Sequence, residues 1–141
     1  MSELRLFTRE EAERTLPLVR RIVEDLLAEY PRWHAALGRF ELLSAGARAE
    51  WEAGETPEAA QAEVARHAER IDGFIAELRA IGCELRLREV GHIDFRSLRQ
   101  DAVVYLCWRP GEARIDHWHP LEGGVAERQP IDAAILSETV T

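Results

Sequence analysis

At Gly82 the hydrophobic period of this 141-residue chain changes from about 3.6 residues to 2, and that change limits what the chain can fold into. Upstream, Val64, His67 or Ala68, Ile71, Phe74, Ile75, Leu78 and Ile81 recur three and four apart, the stripe of an amphipathic helix. Gly82 stands where a left-handed C-terminal cap belongs. Downstream, Cys83, Leu85 and Leu87 alternate with Glu84, Arg86 and Arg88, the signature of a half-buried strand. A helical region followed by strands in one chain implies an α+β fold.

The helical region has readable ends. Thr8 and Glu11 are spaced as a capping box, with Phe7 placed as a hydrophobic staple, so a helix starts near Arg9. Pro17 removes a backbone donor and predicts a break near Thr15 and Leu16, which makes the first helix short and starts a second with Pro17 in its first turn. Val19, Ile22, Val23, Leu26, Leu27 and Tyr30 then form one apolar stripe, and beyond Pro31 the residues Trp33, Ala36, Leu37, Phe40 and Leu43 resume it. The pattern predicts a long, kinked helix that ends near Ser44 to Gly46 or frays toward Trp51. Gly54, Thr56 and Pro57 mark the sharpest boundary, because glycine ends one element, threonine caps the next and proline fits its first turn. Two long helices with a short polar connection pack as an antiparallel hairpin.

After Gly82, Val103 to Trp108 is β-branched and aromatic, Arg109-Pro110-Gly111-Glu112 is a turn, and Ala113 to Trp118 reads as a return strand. Gly91 to Gln100 reads as an ordered loop carrying Asp94, Phe95 and Leu98. The tail from Gly123 ends in an apolar stretch, Ile131 to Leu136, suited to covering a sheet edge. The expected architecture is a long antiparallel helical hairpin, with a short N-terminal helix, packed with an antiparallel sheet of about three strands. It forms a single domain, 1–141, with a helical part at 8–81, strands and hairpin at 83–119 and a C-terminal loop or tail at 120–141.

Composition narrows the partners. With 18 basic and 26 acidic residues the net charge is -8, which opposes nucleic-acid binding through bulk electrostatics. No apolar run nears the roughly 20 residues that span a bilayer, and Met1 to Arg5 lack the apolar core of a secretion signal, so a cytoplasmic protein away from membranes is expected. Cys83 and Cys107 are then free thiols. The long amphipathic helices suit a homodimer.

Chemically able residues concentrate between Tyr105 and His119: two Trp, two His, a Cys, two Arg and two acids in fifteen residues. On an extended Ala113 to His119, the side chains of Ile115, His117 and His119 share one face. Two imidazoles two residues apart can reach one cation, and Glu112, Glu122, Asp94, His92 or Cys107 can complete a site for zinc, iron, nickel or manganese. Against this stands a plainer reading, in which the histidines make hydrogen bonds near a strand end and Trp108 and Trp118 pack in the core. Arg109 can meet an anion or pair with Glu112 across the turn. Cys107 has potential base partners in His117 and His119, although mid-strand burial favours an inert thiol. The chain has no glycine-rich phosphate loop, no nucleophile elbow and no paired-cysteine motif, which removes many common enzyme classes.

The segments Leu6 to Ala12, Thr15 to Arg20, Asp94-Phe95, Val104 to Glu112, Trp118-His119, Glu122 to Gly124 and Arg128 to Ile131 together resemble a family of small bacterial proteins catalogued as a domain of unknown function. The family's pattern features Trp118-His119 rather than His117, often with a shorter acid than Glu122 and a glycine in place of Glu127. The resemblance therefore favours His119 and Glu112 as functional residues. Two functions compete: divalent metal binding at the C-terminal hairpin, and a non-catalytic homo-oligomeric interaction module.

Overall fold

The structure, a computed structural model, describes residues 5–46, 55–86 and 88–138. The expectations that fell on Trp51, Gly54 and Leu87 lie outside them.

Helix α1 runs unbroken over Arg9–Ser44, and α2 over Pro57–Ile81. Their ends follow from the sequence. Thr8 accepts from the Glu11 N–H while the Glu11 carboxylate accepts from the Thr8 N–H, the reciprocal capping box. Thr56 caps α2 with Pro57 in its first turn, and Gly82 closes it at φ 109°.

The expected short N-terminal helix is not a separate element, because α1 passes straight through Pro17 and Pro31. A proline inside a helix costs about 3 kcal/mol. Ala12, Leu16, Val19, Val23 and Leu26 are all buried along one stripe spanning Pro17, and burying each large one returns about 1.5–3 kcal/mol. Burial therefore outweighs the break.

Five strands, rather than about three, form an antiparallel meander in sequence order: β1 (Glu84–Leu85), β2 (Ile93–Arg99), β3 (Ala102–Trp108), β4 (His117–Pro120) and β5 (Gln129–Pro130). The largest difference is β2, which occupies the stretch expected as a loop. Ile93 to Arg96 alternates, but Ser97, Leu98 and Arg99 break the pattern; Ser97 is buried on the same side as Ile93 and Phe95. β1 and β4 are shorter than expected, and β5 lies in the expected tail. The β3–β4 hairpin forms, pairing Tyr105 with His119, Leu106 with Trp118 and Cys107 with His117, but its return strand begins at His117 rather than Ala113, so Ile115 is buried in the core instead of sharing a face with His117 and His119. The Ile131 to Leu136 stretch covers an edge: the Leu136 N–H donates to Leu98 O and the Gln100 N–H to Ala134 O, beside Phe7 N–H on Arg96 O.

Directly paired residues of an antiparallel ladder point to the same face. The registers therefore place Leu85, Ile93, Phe95, Val104, Leu106, Trp108 and Trp118 on an inner face. That face packs on Leu16, Val19, Ile22, Val23 and Leu26 of α1 and Ile71, Ile75 and Leu78 of α2. Phe7 joins it edge-on to Phe95, ring centroids 5.2 Å apart. Trp108 and Trp118 are core residues, the former donating through its indole N–H to Glu112 O. The outer face carries Glu84, Asp94, Arg96, Tyr105, Cys107, His117 and His119.

Between the helices, beyond the sheet, Glu29 is 1 % exposed and accepts from Arg70 at 2.8 Å and Arg32 at 3.3 Å, with His67 on its other oxygen. Burial opposes its charge, but Arg70 and His67 hold the carboxyl below its usual range.

Candidate metal centre on the outer sheet face

Three neighbouring strands each deliver one donor to one point. Asp94 of β2 and Cys107 of β3 are direct ladder partners, and His119 of β4 lies opposite Tyr105, one pleat further along the same face. One carboxylate oxygen, one sulfur and one imidazole nitrogen from these residues lie within 4.8 Å of one another. All three residues are buried. Among the described residues this is the one grouping of three or more acid, cysteine and histidine donors that close.

The cover over this face is polar. Arg86 donates to Asp94 Oδ2 at 2.8 Å and lies over the Tyr105 ring at 4.5 Å, while Arg96 donates to the Tyr105 hydroxyl at 3.1 Å. Arginine stems and an aromatic ring thus exclude water where no helix does. Tyr105 in turn packs on the His119 ring, centroids 5.4 Å apart.

The hydrogen bonds of His119 define its state. Nδ1 sits 2.8 Å from the carbonyl of Pro120, which can only accept, so Nδ1 carries a proton. Nε2 lies 3.1 Å from both oxygens of Asp94, and a carboxylate also only accepts when ionised. A neutral ring would set its Nε2 lone pair against an anion. The contact therefore needs a proton or a cation between Nε2 and Asp94: a second ring proton, a proton on the Asp94 carboxyl, or a shared metal ion. A backbone carbonyl on the far nitrogen is how metal-binding histidines are aimed.

Cys107 is held as a thiol. Burial, and then the charge of Asp94, pushes it up to about 11, which opposes the reading of Cys107 as a nucleophile. A metal would have to displace that proton. Cys83, the other free thiol, is in the core, pushed by burial up to about 12.

The remaining candidates stand beside the triad rather than in it. Glu112 accepts from Arg128 Nη2 at 2.7 Å and from the Arg109 N–H at 2.7 Å, and its other oxygen is 3.7 Å from His117 Nδ1. Burial works against its charge, yet Arg128 and the Arg109 N–H keep its carboxyl below the usual range. Glu112 is thus an ion-pair partner bracing the turn. His117 shares a face with Cys107, its ladder partner, but turns toward Glu112. Glu122 is exposed on the turn after β4. Of the residues singled out in sequence, the structure brings together Asp94, His119 and Cys107, and separates them from Glu112, His117 and Glu122.

Two residues of this region carry no functional signal in the sequence: Arg86 alternates as the solvent side of a strand, and Arg128 lies in a short segment of the tail. Arg128 is 9 % exposed through its side chain and also donates to Cys107 O at 3.2 Å. A lone arginine beside Gln129 and Pro130 carries no periodic signal, because its burial depends on β5 pairing with β4.

The profile of a family described as uncharacterized conserved protein, DUF2203, matches residues 5–131. The chain belongs to this family. Helices, sheet and the three donors all fall inside the matched span of DUF2203. No curated protein and no solved structure matches the chain. No helix among the described residues is long and apolar enough to cross a membrane.

Proposed function

We propose that this DUF2203 protein binds a divalent transition metal through Asp94, Cys107 and His119. The observation that carries the reading is His119, whose Nδ1–H is fixed on Pro120 O while Nε2 faces a carboxylate and lies close to a thiol. An oxygen, a nitrogen and a sulfur donor suit zinc, iron or nickel, and the sulfur disfavours manganese among the four metals considered from sequence. Three protein ligands leave a further coordination position for water or substrate, as in catalytic rather than structural zinc sites.

The test is metal analysis of untagged protein together with melting on metal addition. Zinc, iron or nickel should co-purify near one equivalent or raise Tm, and His119→Ala and Cys107→Ser should each abolish the response. Metal-free protein whose Tm ignores all three ions would refute the proposal.

Self-association through the helical hairpin is the second reading. It is supported by Leu18 and Leu42 of α1, which are 53 % and 50 % exposed. Light scattering that finds a monomer at tens of micromolar, an illustrative order-of-magnitude range, would remove it.

A further inference from the structure

Six buried side-chain nitrogen or oxygen atoms among the described residues have no hydrogen-bond partner, and four of them belong to one cluster: His92 Nδ1, Arg109 Nε, Arg128 Nε and His117 Nδ1. The cluster lies at the end of the outer face beside the triad. Continuing the β2–β3 register one step past Ile93 and Trp108 brings His92 opposite Arg109. The Arg86 N–H donates to His92 O at 2.9 Å, which sets Arg86 in the same row. Arg128 reaches the row from the other side, through Cys107 O and Glu112.

The two arginine Nε–H groups can only donate, and buried donors are almost always satisfied, so this pair calls for an acceptor that none of the described residues supplies; the two imidazole Nδ1 atoms donate or accept according to tautomer, and His117 Nδ1 has Glu112 Oε2 3.7 Å away. The charge points the same way. Arg86 is paired with Asp94 and Arg128 with Glu112 Oε1, while Arg109 forms no ion pair among the described residues. An additional acceptor with negative charge would satisfy the unmet donors and balance the excess.

We propose that Arg109, Arg128 and His92 form a binding site for a small oxyanion, a carboxylate or phosphate group, adjoining the Asp94–Cys107–His119 centre. Arg109 supplies the entrance, because it is only partly buried while its Nε turns inward. Arg128, anchored by Glu112, supplies the fixed wall, and His92 donates from the floor. Planar guanidiniums recognise oxyanions with paired N–H groups, which sets the ligand class. The site rests on these side chains alone and needs no metal. Asp94, Cys107 and His119 would hold a metal on the same sheet face, so the two sites would adjoin.

The experiment titrates the full chain, in chelator and at low chloride, with inorganic phosphate in one arm and acetate and malonate in the other. Isothermal calorimetry and the imidazole NMR signal of His92 report binding. The expected result is saturable one-to-one binding in at least one arm, with the His92 signal shifting. Arg109→Gln should weaken it by about tenfold or more, and Arg109→Lys by less, because lysine keeps the charge but loses the fork. If Arg109→Gln fails to fold, the Arg109→Lys affinity and the His92 shift decide the matter. No saturable binding in either arm overturns the proposal, as do binding equal in Arg109→Gln, an adventitious ion only, and binding that appears solely with metal loaded.

Discussion

Replacing Gly91 by alanine should destabilise this protein through two separable effects. Gly91 ends the turn that feeds β2 and has φ +72°, where an L-residue with a Cβ costs about 1–2 kcal/mol. A Cβ there would also lie 2.7 Å from Val23 Cγ1 and 3.3 Å from both Leu27 Cδ1 and Pro110 Cγ. Carbon atoms pack best at about 3.5–4.0 Å. Val23 is 1 % exposed and β-branched on a helix, so its methyl has no alternative rotamer to retreat to. Overpacking of this kind costs about 1–3 kcal/mol. Loss of unfolded-state freedom returns about 0.4–1 kcal/mol, leaving a net cost near 1.5–4 kcal/mol. Tm should fall by roughly 5–15 °C for a chain of this size. Urea unfolding followed by tryptophan fluorescence measures it, with Trp108 as the buried reporter. A Gly91→Ala protein within about 0.5 kcal/mol of the parent would show that the turn and α1 are not packed as described.

Gly73 lies inside α2 with nothing within 4 Å of an added Cβ, so Gly73→Ala should stabilise by about 0.5–1 kcal/mol in the same urea assay. Glu29→Gln should cost about 1–3 kcal/mol, toward the low end because Arg32 and Arg70 are more than half exposed and can rehydrate. Glu29 has a folded-state value below 4.5, so its stabilisation is complete above that pH and is lost as pH falls through the lowered value. Stability measured from pH 6 down to 3, an illustrative range, should therefore decline less steeply in Glu29→Gln than in the parent; parallel curves would contradict the network. Cys107, with a value of about 11, should resist iodoacetamide at neutral pH in the folded protein and react in urea. Labelling of the native protein within minutes would contradict its burial.

The helical half was legible because its signals are local and periodic. Thr8 with Glu11, Thr56 with Pro57, and Gly82 act within one turn, and each fixes an element end without help from the rest of the chain. Pro17 misled because its penalty is local whereas the compensating burial of Leu16 and Val19 depends on the sheet. β2 was hidden for the opposite reason. Its outer face ends in an apolar residue, Leu98, and its inner face of Ile93, Phe95 and Ser97 includes a serine whose hydroxyl donates to Phe7 O, a contact 90 residues away in sequence. The donors Asp94, Cys107 and His119 were each visible, but which of the candidates meet depends on ladder register. Glu112 is as eligible as Asp94 by residue type, but the ladder sets Asp94 opposite Cys107 whereas Glu112 lies in the connection after β3. Exposure of Glu122 likewise follows from where β4 ends, not from its neighbours in the chain.

The pleat that sets Asp94 beside Phe95, Cys107 beside Leu106 and His119 beside Trp118 also restricts how relatives of this chain can change in length. A single residue gained or lost inside β2, β3 or β4 would turn a donor into the apolar interior and an apolar residue into the polar cluster. The stretch between Arg109 and Asp116 lies outside the ladders and carries no such parity, whereas the two-residue turn at Gln100 and Asp101 itself sets the β2–β3 register. Length variation among members of the family should therefore collect between Arg109 and Asp116, while the spacing from Asp94 to Cys107 stays fixed.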